Sequence, residues 1–292
     1  MQEVSEAKGS AGASASTACE LCGYAGEMQP FYPAKGIMRC PKCDLVFYDG
    51  KVDPRALYTK DYFTGEEYHN YLADKPIIQR NFRARIKDLL KRKPSGRLLE
   101  LGCAYGFFLE LAKDHWDAVG MDIAEDATEY ARSKLGVNAI TADFLSVPDQ
   151  PETYDIICMW DTIEHLPRPV RFVEKAARWL KPGGILVMTT GDIGSKMARK
   201  RGENWRQIHP PTHTFYFSAD TLGKASRQAG LEVVDVQHVG YSRSYASMVH
   251  GVLGLKQRKT SFLYNVFTLG GVLDFPIYLN LYDIVMVTAR KP

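Results

Sequence analysis

The stretch "LLELGCAYGFFLELA", residues 98–112, decides the fold, because an apolar strand ends in a glycine-containing turn and continues at once as a helix. Glycine is used where the backbone turns tightly or approaches another group closely. A strand–turn–helix unit of this kind points the unpaired N–H groups at the start of its helix towards a ligand. The stretch therefore predicts a binding turn over residues 102–106.

Strand and helix patterns alternate on the carboxyl side of this turn. "DAVGMDI" (117–123) reads as a strand, "EDATEYARSKL" (125–135) as a helix and "TYDIICMWD" (153–161) as a strand. Such alternation predicts a mostly parallel sheet with helices on both faces. Ligands of these sheets bind beyond the carboxyl ends of the strands.

Acidic residues stand at four predicted strand ends. Glu100 precedes the glycine turn, and Asp122 follows twenty residues after Gly102, where an acid can accept hydrogen bonds from ribose hydroxyls. Asp143 ends a third predicted strand, "NAITADF" (138–144), where it can accept from an adenine amino group, and Asp161 ends the fourth, "TYDIICMWD". Each carboxylate alone could simply cap the next helix. Together they predict a cleft shaped for adenosine.

The charge at the turn separates two classes of adenosine ligand. A dinucleotide site requires G-x-G-x-x-G, whose glycines leave room for a pyrophosphate. Here Ala104 takes the place of the middle glycine, and Glu100 stands two residues before the first one. A carboxylate there would repel a phosphate but suits an ammonium group and a sulfonium. The sequence therefore favours S-adenosylmethionine.

Six motifs of the chain together point to one family, namely "LLELGCAYG" (98–106), "VGMDI" (119–123), "TADF" (141–144), "MWDTIEHLPRP" (159–169), "LKPGGILVMTT" (180–190) and "LYDIVMVTARKP" (281–292). Through them, residues 76–292 resemble the class I S-adenosylmethionine-dependent methyltransferases, and "IEHLPRP" is similar to the ubiquinone-biosynthesis O-methyltransferase type. The resemblance implies an α/β, Rossmann-like fold with a seven-stranded sheet whose last strand, near residues 283–289, is antiparallel.

The same resemblance implies which residues hold the cofactor. Glu100 and the glycine turn would hold its methionine end, Asp122 the ribose, and Asp143 with Phe144 the adenine. The full predicted set is Glu100, Gly102, Cys103, Ala104, Gly106, Asp122, Ile123, Asp143, Phe144 and Trp160.

Four of the six cysteines form two CxxC knuckles, "CELC" (19–22) and "CPKC" (40–43). Two knuckles can complete a tetrahedral four-thiolate Zn²⁺ site, whereas a single pair would be weak evidence and could be a redox dithiol. Four protein ligands leave no open position, so this zinc is predicted to be structural. The knuckles are also similar to those of zinc-ribbon methyltransferases of cell-surface sugar or secondary-metabolite pathways. The predicted ligands are Cys19, Cys22, Cys40 and Cys43.

The sequence divides into four parts. A disordered tail is predicted over residues 1–18, a zinc ribbon over 19–50, and an aromatic-rich segment over 51–75 that is either a linker or a lid. The predicted methyltransferase domain covers 76–292, with an insertion near 241–280.

Charge, apolar segments and cysteine usage limit which binding partners and which cellular compartment are expected for the protein. The chain has 292 residues and a formal net charge of +3, which neither demands nor excludes an anionic partner. Residues 1–18 lack the apolar stretch of a signal peptide, and the uncharged run at 260–273 is too short to span a bilayer. Cysteine usage fits a reducing compartment, so a cytoplasmic protein without a membrane span is predicted. The oligomeric state stays open.

The catalytic residues and the acceptor are less constrained. The predicted catalytic residues are His213, His165 and Asp161, and the two histidines are the candidates for the base that is needed if a hydroxyl attacks. Trp205 and Tyr216, close to His213, are expected to face the acceptor and stack on it. The predicted acceptor is a small molecule, namely a sugar, a lipid-like compound or a secondary metabolite. Alternatives are an RNA methyltransferase, using basic stretches such as "KMARKR", and a non-catalytic adapter that binds S-adenosylmethionine.

Overall fold

A computed structural model describes residues 18–50, 52, 71–245 and 275–292. Nearly all of the predicted tail, most of the predicted linker or lid and the middle of the predicted insertion lie outside the described residues. The first and last parts of the insertion are described, and they pair as two antiparallel strands.

The described residues form thirteen strands and six α-helices. The strands are β1 (Gln29–Tyr32), β2 (Ile37–Arg39), β3 (Val46–Tyr48), β4 (Arg97–Leu101), β5 (Asp117–Asp122), β6 (Asn138–Thr141), β7 (Tyr154–Trp160), β8 (Leu180–Gly191), β9 (Phe215–Tyr216), β10 (Glu232–His238), β11 (Tyr241–Ser244), β12 (Pro276–Leu279) and β13 (Ile284–Arg290). The helices are α1 (Lys75–Arg92), α2 (Phe107–Ala112), α3 (Glu125–Leu135), α4 (Pro169–Trp179), α5 (Lys196–Arg201) and α6 (Ala219–Gln228).

The central sheet has seven strands in the order β10-β13-β8-β7-β4-β5-β6. Strands β4 to β8 are parallel to their neighbours within this group, and β13 is antiparallel to both β8 and β10. The predicted seven-stranded sheet with an antiparallel last strand is confirmed. The strand order reverses beside β4, because β5 lies on one side of it and β7 on the other. This switch point places a ligand crevice at the carboxyl ends of β4 and β7.

Both faces of the sheet are buried, which explains why its central strands are almost continuously apolar. Leu99 packs on one face in the same cluster as Val173 of α4. Leu98, the next residue along β4, packs on the opposite face with Ile86 of α1. Neighbouring side chains of β4 thus pack on opposite faces of the sheet, as the pleat of a strand requires, and both faces hold the strand in register.

A second, smaller sheet contains the cysteine module. Strands β1, β2 and β3 form an antiparallel meander, as expected for a ribbon, and β9 adds a fourth strand to it. In that ladder Val46 is opposite Tyr216 and Phe47 is opposite Phe215. The ribbon sheet is thus completed by a strand from the methyltransferase part of the chain.

Side-chain packing joins the ribbon to the rest of the protein. Leu21 and Leu45 are buried in the same apolar cluster as Val173. The ammonium of Lys224, on α6, donates a hydrogen bond to the carbonyl oxygen of Cys43 at 3.2 Å. The ribbon is therefore part of the main core rather than a separate appendage.

No helix in the described part of the chain is long and apolar enough to cross a membrane.

Candidate active site

The glycine turn after β4 is tightly packed. Gly102 and Gly106 both have left-handed φ values, +75° and +74°. A Cβ on Gly102 would lie 2.5 Å from Cγ2 of Thr162, and one on Gly106 would lie 2.8 Å from Cβ of Ala131. Any larger side chain would therefore be strained in conformation and would also clash. The turn is thus held between Thr162, which follows β7, and Ala131 of α3.

Asp122, the last residue of β5, holds this turn in place. Its Oδ2 accepts a hydrogen bond from the N–H of Ala104 at 2.8 Å, and its Oδ1 accepts from the N–H of Ala124 at 2.9 Å. Burial nevertheless raises the pKa of Asp122 above its ordinary value. Each oxygen has a second lone pair that can accept from a ligand hydroxyl.

Glu100 is a buried carboxyl group at the carboxyl end of β4. Its side chain is 2% exposed, and its Oε2 has no hydrogen-bond partner. Burial, and then the nearby Asp122 carboxylate, raise the pKa of Glu100 well above its ordinary value. An unpaired buried carboxyl is costly, and a cationic ligand group would relieve that cost.

Asp143 and Phe144, the two residues predicted to hold the adenine, have different surroundings. The Asp143 carboxylate accepts from the N–H of Leu145 at 3.0 Å and from the Ser146 hydroxyl at 2.7 Å, so it also fixes its own turn. Phe144 is 2% exposed and packs edge-on against Trp179, with ring centroids 4.8 Å apart. The ring of Phe144 therefore lies in the core.

Three further residues of the predicted cofactor set lie beside the turn. Ile123, just after β5, is 39% exposed and offers an apolar surface at this edge of the sheet. Cys103 is buried in the turn itself. Trp160, the last residue of β7, is buried and its indole Nε1 has no hydrogen-bond partner.

Asp161 follows β7 in an unusual backbone conformation. Its φ is +49°, which a non-glycine residue seldom adopts. Its Oδ1 is buried without a hydrogen-bond partner, and its Oδ2 accepts a hydrogen bond from the hydroxyl of Tyr241. Burial, and then this carboxylate, hold the pKa of Tyr241 well above its ordinary value, so the phenol stays protonated and donates. Strain of this kind is typical of functional sites.

Helix α1 secures the strand that carries Tyr241. The guanidinium of Arg85 lies over the Tyr241 ring, 5.4 Å from its centroid, and donates to the carbonyl oxygen of Gly240 at 3.3 Å. The side-chain amide of Asn81 donates to the Ser242 carbonyl at 3.1 Å and accepts from the Ser242 N–H at 2.6 Å. The inner face of this helix therefore supports the site.

His165 and His213 lie together, with ring centroids 4.6 Å apart. His165 belongs to the 3-10 turn Ile163–His165, whereas His213 is buried in the loop before β9. Burial lowers the pKa of His165 to about 4 and that of His213 well below its ordinary value. The buried carboxyl of Glu164 lies beside them, and burial followed by the Asp161 charge raises the pKa of Glu164 to about 8.

The four ribbon cysteines converge on one point. Sγ of Cys19 is 3.5 Å from Sγ of Cys43, and Sγ of Cys22 is 3.6 Å from Sγ of Cys40. All four sulfurs lie within 4.8 Å of one another. A Zn²⁺ ion with Zn–S distances of about 2.3 Å holds tetrahedral sulfurs about 3.8 Å apart. The cluster therefore has the donors and the spacing that Zn²⁺ requires.

The sequence profile of a family described as "Methyltransferase domain" matches residues 75–236, more than half of the chain. The chain belongs to this methyltransferase family. With the cleft at β4 and β7, this makes the protein an S-adenosylmethionine-dependent methyltransferase.

Curated relatives of this methyltransferase include ubiquinone biosynthesis O-methyltransferases. The one from Methylococcus capsulatus is 29% identical over 160 residues, which cover 50% of this chain and 67% of that enzyme. The one from Hydrogenovibrio crunogenus is 30% identical over 148 residues, covering 46% of this chain and 61% of that enzyme. The match thus spans about two thirds of the relatives' own length.

Solved structures share the fold of the methyltransferase. An S-adenosylmethionine-dependent methyltransferase from Thermotoga maritima, described as a possible histamine N-methyltransferase, has a TM-score of 0.53 at 22% identity, covering 77% of this chain and 95% of that one. One from Archaeoglobus fulgidus has a TM-score of 0.51 at 21% identity, covering 76% and 99%.

One expectation about the acceptor side is wrong. Trp205 is 2% exposed and its indole N–H donates to Oδ2 of Asp283 at 2.9 Å. Tyr216 is 3% exposed and its hydroxyl donates to the carbonyl oxygen of His213 at 3.0 Å. Both rings are used inside the protein, because β9 joins the ribbon sheet, and neither presents a face on which an acceptor could stack.

Two side chains of the methyltransferase site were missed by the sequence reasoning. Glu164 lies inside the quoted motif "IEHLPRP", but an acid directly before a histidine in a turn is not distinctive. Tyr241 is 80 residues from Asp161, its hydrogen-bond partner. Tyr241 can be recognised as part of the site only from the structure, in which β11 packs against α1 and brings the Tyr241 hydroxyl to Asp161.

Proposed function

We propose that this methyltransferase transfers a methyl group from S-adenosylmethionine to a hydroxyl or carbon of a small-molecule acceptor. The observation that carries this proposal is a pair of carboxyl groups at the carboxyl ends of the neighbouring strands β4 and β7, Glu100 and Asp161, each with a buried oxygen that has no hydrogen-bond partner. The Glu100 carboxyl group suits the cationic end of the cofactor, and the Asp161 carboxylate suits a proton of the acceptor. The names of the ubiquinone biosynthesis O-methyltransferases support a small acceptor.

In this proposal the cofactor lies along the carboxyl ends of β4, β5 and β6. Glu100 faces its ammonium and sulfonium groups, the turn at Gly102 follows its methionine part, and Asp122 accepts from the ribose hydroxyls. Asp143 accepts from the adenine amino group, while Phe144 supports that turn from the core. The absence of a phosphate in this ligand agrees with the acid at position 100.

Asp161 is proposed as the group that takes the acceptor's proton. When bound, S-adenosylmethionine supplies the methyl carbon on a positively charged sulfur. Oδ1 of Asp161 has no hydrogen-bond partner in the protein and can accept a hydroxyl proton, and the Tyr241 phenol keeps the carboxylate oriented through Oδ2. The other two predicted catalytic residues are His165, in the turn that follows β7, and His213, in the loop before β9. They would act on the acceptor side.

The ribbon cysteines are proposed to hold a structural Zn²⁺ ion. Cys19, Cys22, Cys40 and Cys43 supply four soft sulfur donors at compatible spacing, which leaves no position for a substrate. A module of this size lacks the core to fold alone, so the metal would contribute folding free energy.

Titration calorimetry tests the cofactor part of the proposal. Wild-type protein is expected to bind S-adenosylmethionine and its demethylated product, and Glu100→Gln to bind the cofactor more weakly. Glu125→Gln is the matched control, because Glu125 is an exposed acid near the cleft outside the predicted set. Absence of binding in the wild type would overturn the proposal.

A labelled-cofactor assay tests the acceptor class. The protein is incubated with methyl-labelled S-adenosylmethionine and with fractionated cell extract, and the products are identified by mass shift. Label in a small molecule is expected. Label recovered only in RNA would replace the small-molecule acceptor with the alternative raised by the basic stretch at residues 196–201.

A further inference from the structure

Asp283 is a buried carboxylate that lies on the side of Asp161 away from Glu100. It is 1% exposed and directly precedes β13, which pairs with the carboxyl end of β8, the neighbour of β7. Both of its oxygens are occupied, because Oδ2 accepts from the Trp205 indole and Oδ1 from the Arg206 guanidinium, each at 2.9 Å. The Arg206 guanidinium is thus fixed at this edge of the sheet.

Arg243 approaches the same place from another strand, β11. Side chains alternate in direction along a strand, so Tyr241 and Arg243 leave β11 on the same face, with their α-carbons about 6.6 Å apart. The Tyr241 hydroxyl donates to Asp161, and the Arg243 guanidinium lies within reach of the charges of Arg206 and Asp283. Arg243 is exposed to solvent, and its guanidinium makes no hydrogen bond or ion pair with any residue of the described ranges.

The two guanidiniums share one carboxylate, which leaves an excess of positive charge at this point. The protein around Arg243 removes part of the hydration of its guanidinium. This desolvation, and then the positive charge of Arg206, lower the pKa of Arg243 from its ordinary value, and Asp283 offsets only part of the effect. The other acid at this end of β8, Asp192, is paired with His238 instead, at 2.8 Å. Because arginine stays protonated in proteins, an anion that reached both guanidiniums would relieve their repulsion.

We propose that Arg206 and Arg243 form a subsite for an oxyanion, either a carboxylate or a phosphate, that the acceptor carries. A planar guanidinium offers parallel N–H donors whose geometry matches the oxygens of both groups. Arg206 is held in position by Asp283, whereas Arg243 has all of its donors available. The subsite thus combines one fixed guanidinium with one that is free to close on the ligand.

This inference rests on the proposed function, because it places the subsite beside the group that takes the acceptor's proton. Since Tyr241 and Arg243 point from the same face of β11, one small molecule can reach both Asp161 and the two arginines. The bound oxyanion would then orient the acceptor with its reacting hydroxyl at Asp161. Among small molecules with a suitable hydroxyl, the preferred acceptor is therefore an anionic one.

Binding of two small anions to the full-length protein tests the subsite without any methyl transfer. Phenyl phosphate and benzoate are titrated calorimetrically into wild-type protein in the presence of the demethylated cofactor product. At least one of them is expected to bind, and Arg243→Gln is expected to weaken that binding by about 10- to 100-fold. The probe that binds more tightly identifies the oxyanion as a phosphate or a carboxylate.

Arg201→Gln is the matched control for the loss of one positive charge. Arg201 is the exposed last residue of α5, and it takes no part in the hydrogen bonds to Asp283. This variant should bind the anion as the wild type does. The inference would be overturned if the wild type bound neither probe, if Arg243→Gln bound as tightly as the wild type, or if both variants lost affinity equally.

Kinetics on the acceptor identified by mass shift give a second readout. Removal of a contact that is equally strong in the ground state and the transition state raises KM and leaves kcat unchanged. Arg243→Gln should therefore raise KM by about 10- to 100-fold, whereas Asp161→Asn should lower kcat. A fall in kcat with unchanged KM in Arg243→Gln would contradict the subsite.

The anion titration also separates this inference from the proposed function. Anion binding that Arg243→Gln weakens, in a protein that does not bind S-adenosylmethionine, would overturn the proposed function and leave the subsite standing. Binding of S-adenosylmethionine by a wild-type protein that binds neither anion would overturn the subsite alone.

Discussion

The N–H and the hydroxyl of Thr214 both donate hydrogen bonds to the carbonyl oxygen of Glu164, at 2.9 and 3.1 Å. The carbonyl oxygen of Thr214 in turn accepts from the N–H of Tyr48, the last residue of β3, at 2.8 Å. One residue thus connects the ribbon sheet to the loop that follows β7. We therefore expect the geometry of that loop to depend on the ribbon being in place.

Removing the Thr214 hydroxyl is expected to loosen this connection. Thr214→Val keeps the backbone hydrogen bonds but loses the side-chain one, with a cost of about 0.5–1.5 kcal/mol in the free energy of unfolding. We expect turnover to fall several-fold while affinity for S-adenosylmethionine is unchanged. Thr214→Ser, which keeps the hydroxyl, serves as the control. Equal turnover in both variants would show that the contact does not position the loop.

Loss of the ribbon metal is expected to destabilise the whole protein. Leu21 and Leu45 share a buried cluster with Val173 of α4, so unfolding the ribbon would expose core residues of the central sheet. Cys40→Ser should lower thermal stability in a single transition, read by scanning calorimetry alongside elemental zinc analysis. Cys158→Ser is the control, because that thiol is buried elsewhere, in the central sheet. Two well-separated transitions in Cys40→Ser would contradict the shared core.

Affinity for the cofactor is expected to rise with pH. The pKa of Glu100 lies well above its ordinary value in the free protein, since burial disfavours its charged form. A cationic ligand favours the ionised carboxylate, so binding releases a proton and strengthens as pH rises through the free-protein pKa. Calorimetry in buffers of different ionisation enthalpy measures that proton. Glu100→Gln should abolish this contribution, and proton uptake by the wild type would contradict the assignment.

Local sequence signals predicted the central sheet and the glycine turn well. The alternation of strands and helices around β4 and the turn at Gly102 and Gly106 could be predicted without knowledge of distant residues, because strand, turn and helix are adjacent in the chain. Even the antiparallel last strand was predicted, though from resemblance to a family rather than from spacing.

Contacts between distant segments could not be predicted in the same way. Strand β9 has only two residues, too few for a periodic pattern, and its pairing with β3 exists only because the ribbon packs beside it. That pairing buries Tyr216, which the sequence had suggested for the acceptor. Likewise Arg85 is of a residue type that is mostly exposed in folded proteins, yet its side chain is buried against Tyr241, 156 residues further along the chain.

The pairing of Asp161 with Tyr241 gives a further prediction for the chemical step. Asp161→Asn should lower turnover by roughly 10²–10⁴-fold, the range for loss of a general base, with cofactor affinity unchanged. Asparagine tolerates a left-handed backbone, so the φ of +49° at this position is preserved. Turnover is measured on the acceptor identified by mass shift.

The variant Tyr241→Phe tests the role of the Tyr241 hydroxyl apart from the role of the Asp161 carboxylate, to which that hydroxyl donates a hydrogen bond. The phenol is a positioning residue that donates to Oδ2 of Asp161, and a hydrogen bond to a charged group contributes about 1.5–3 kcal/mol. The variant should therefore lose about 10- to 100-fold in turnover, less than Asp161→Asn, and in the double variant the two losses should not add. Full turnover by Asp161→Asn, with a large loss in His165→Ala or His213→Ala, would move the proton acceptor from the carboxylate to a histidine.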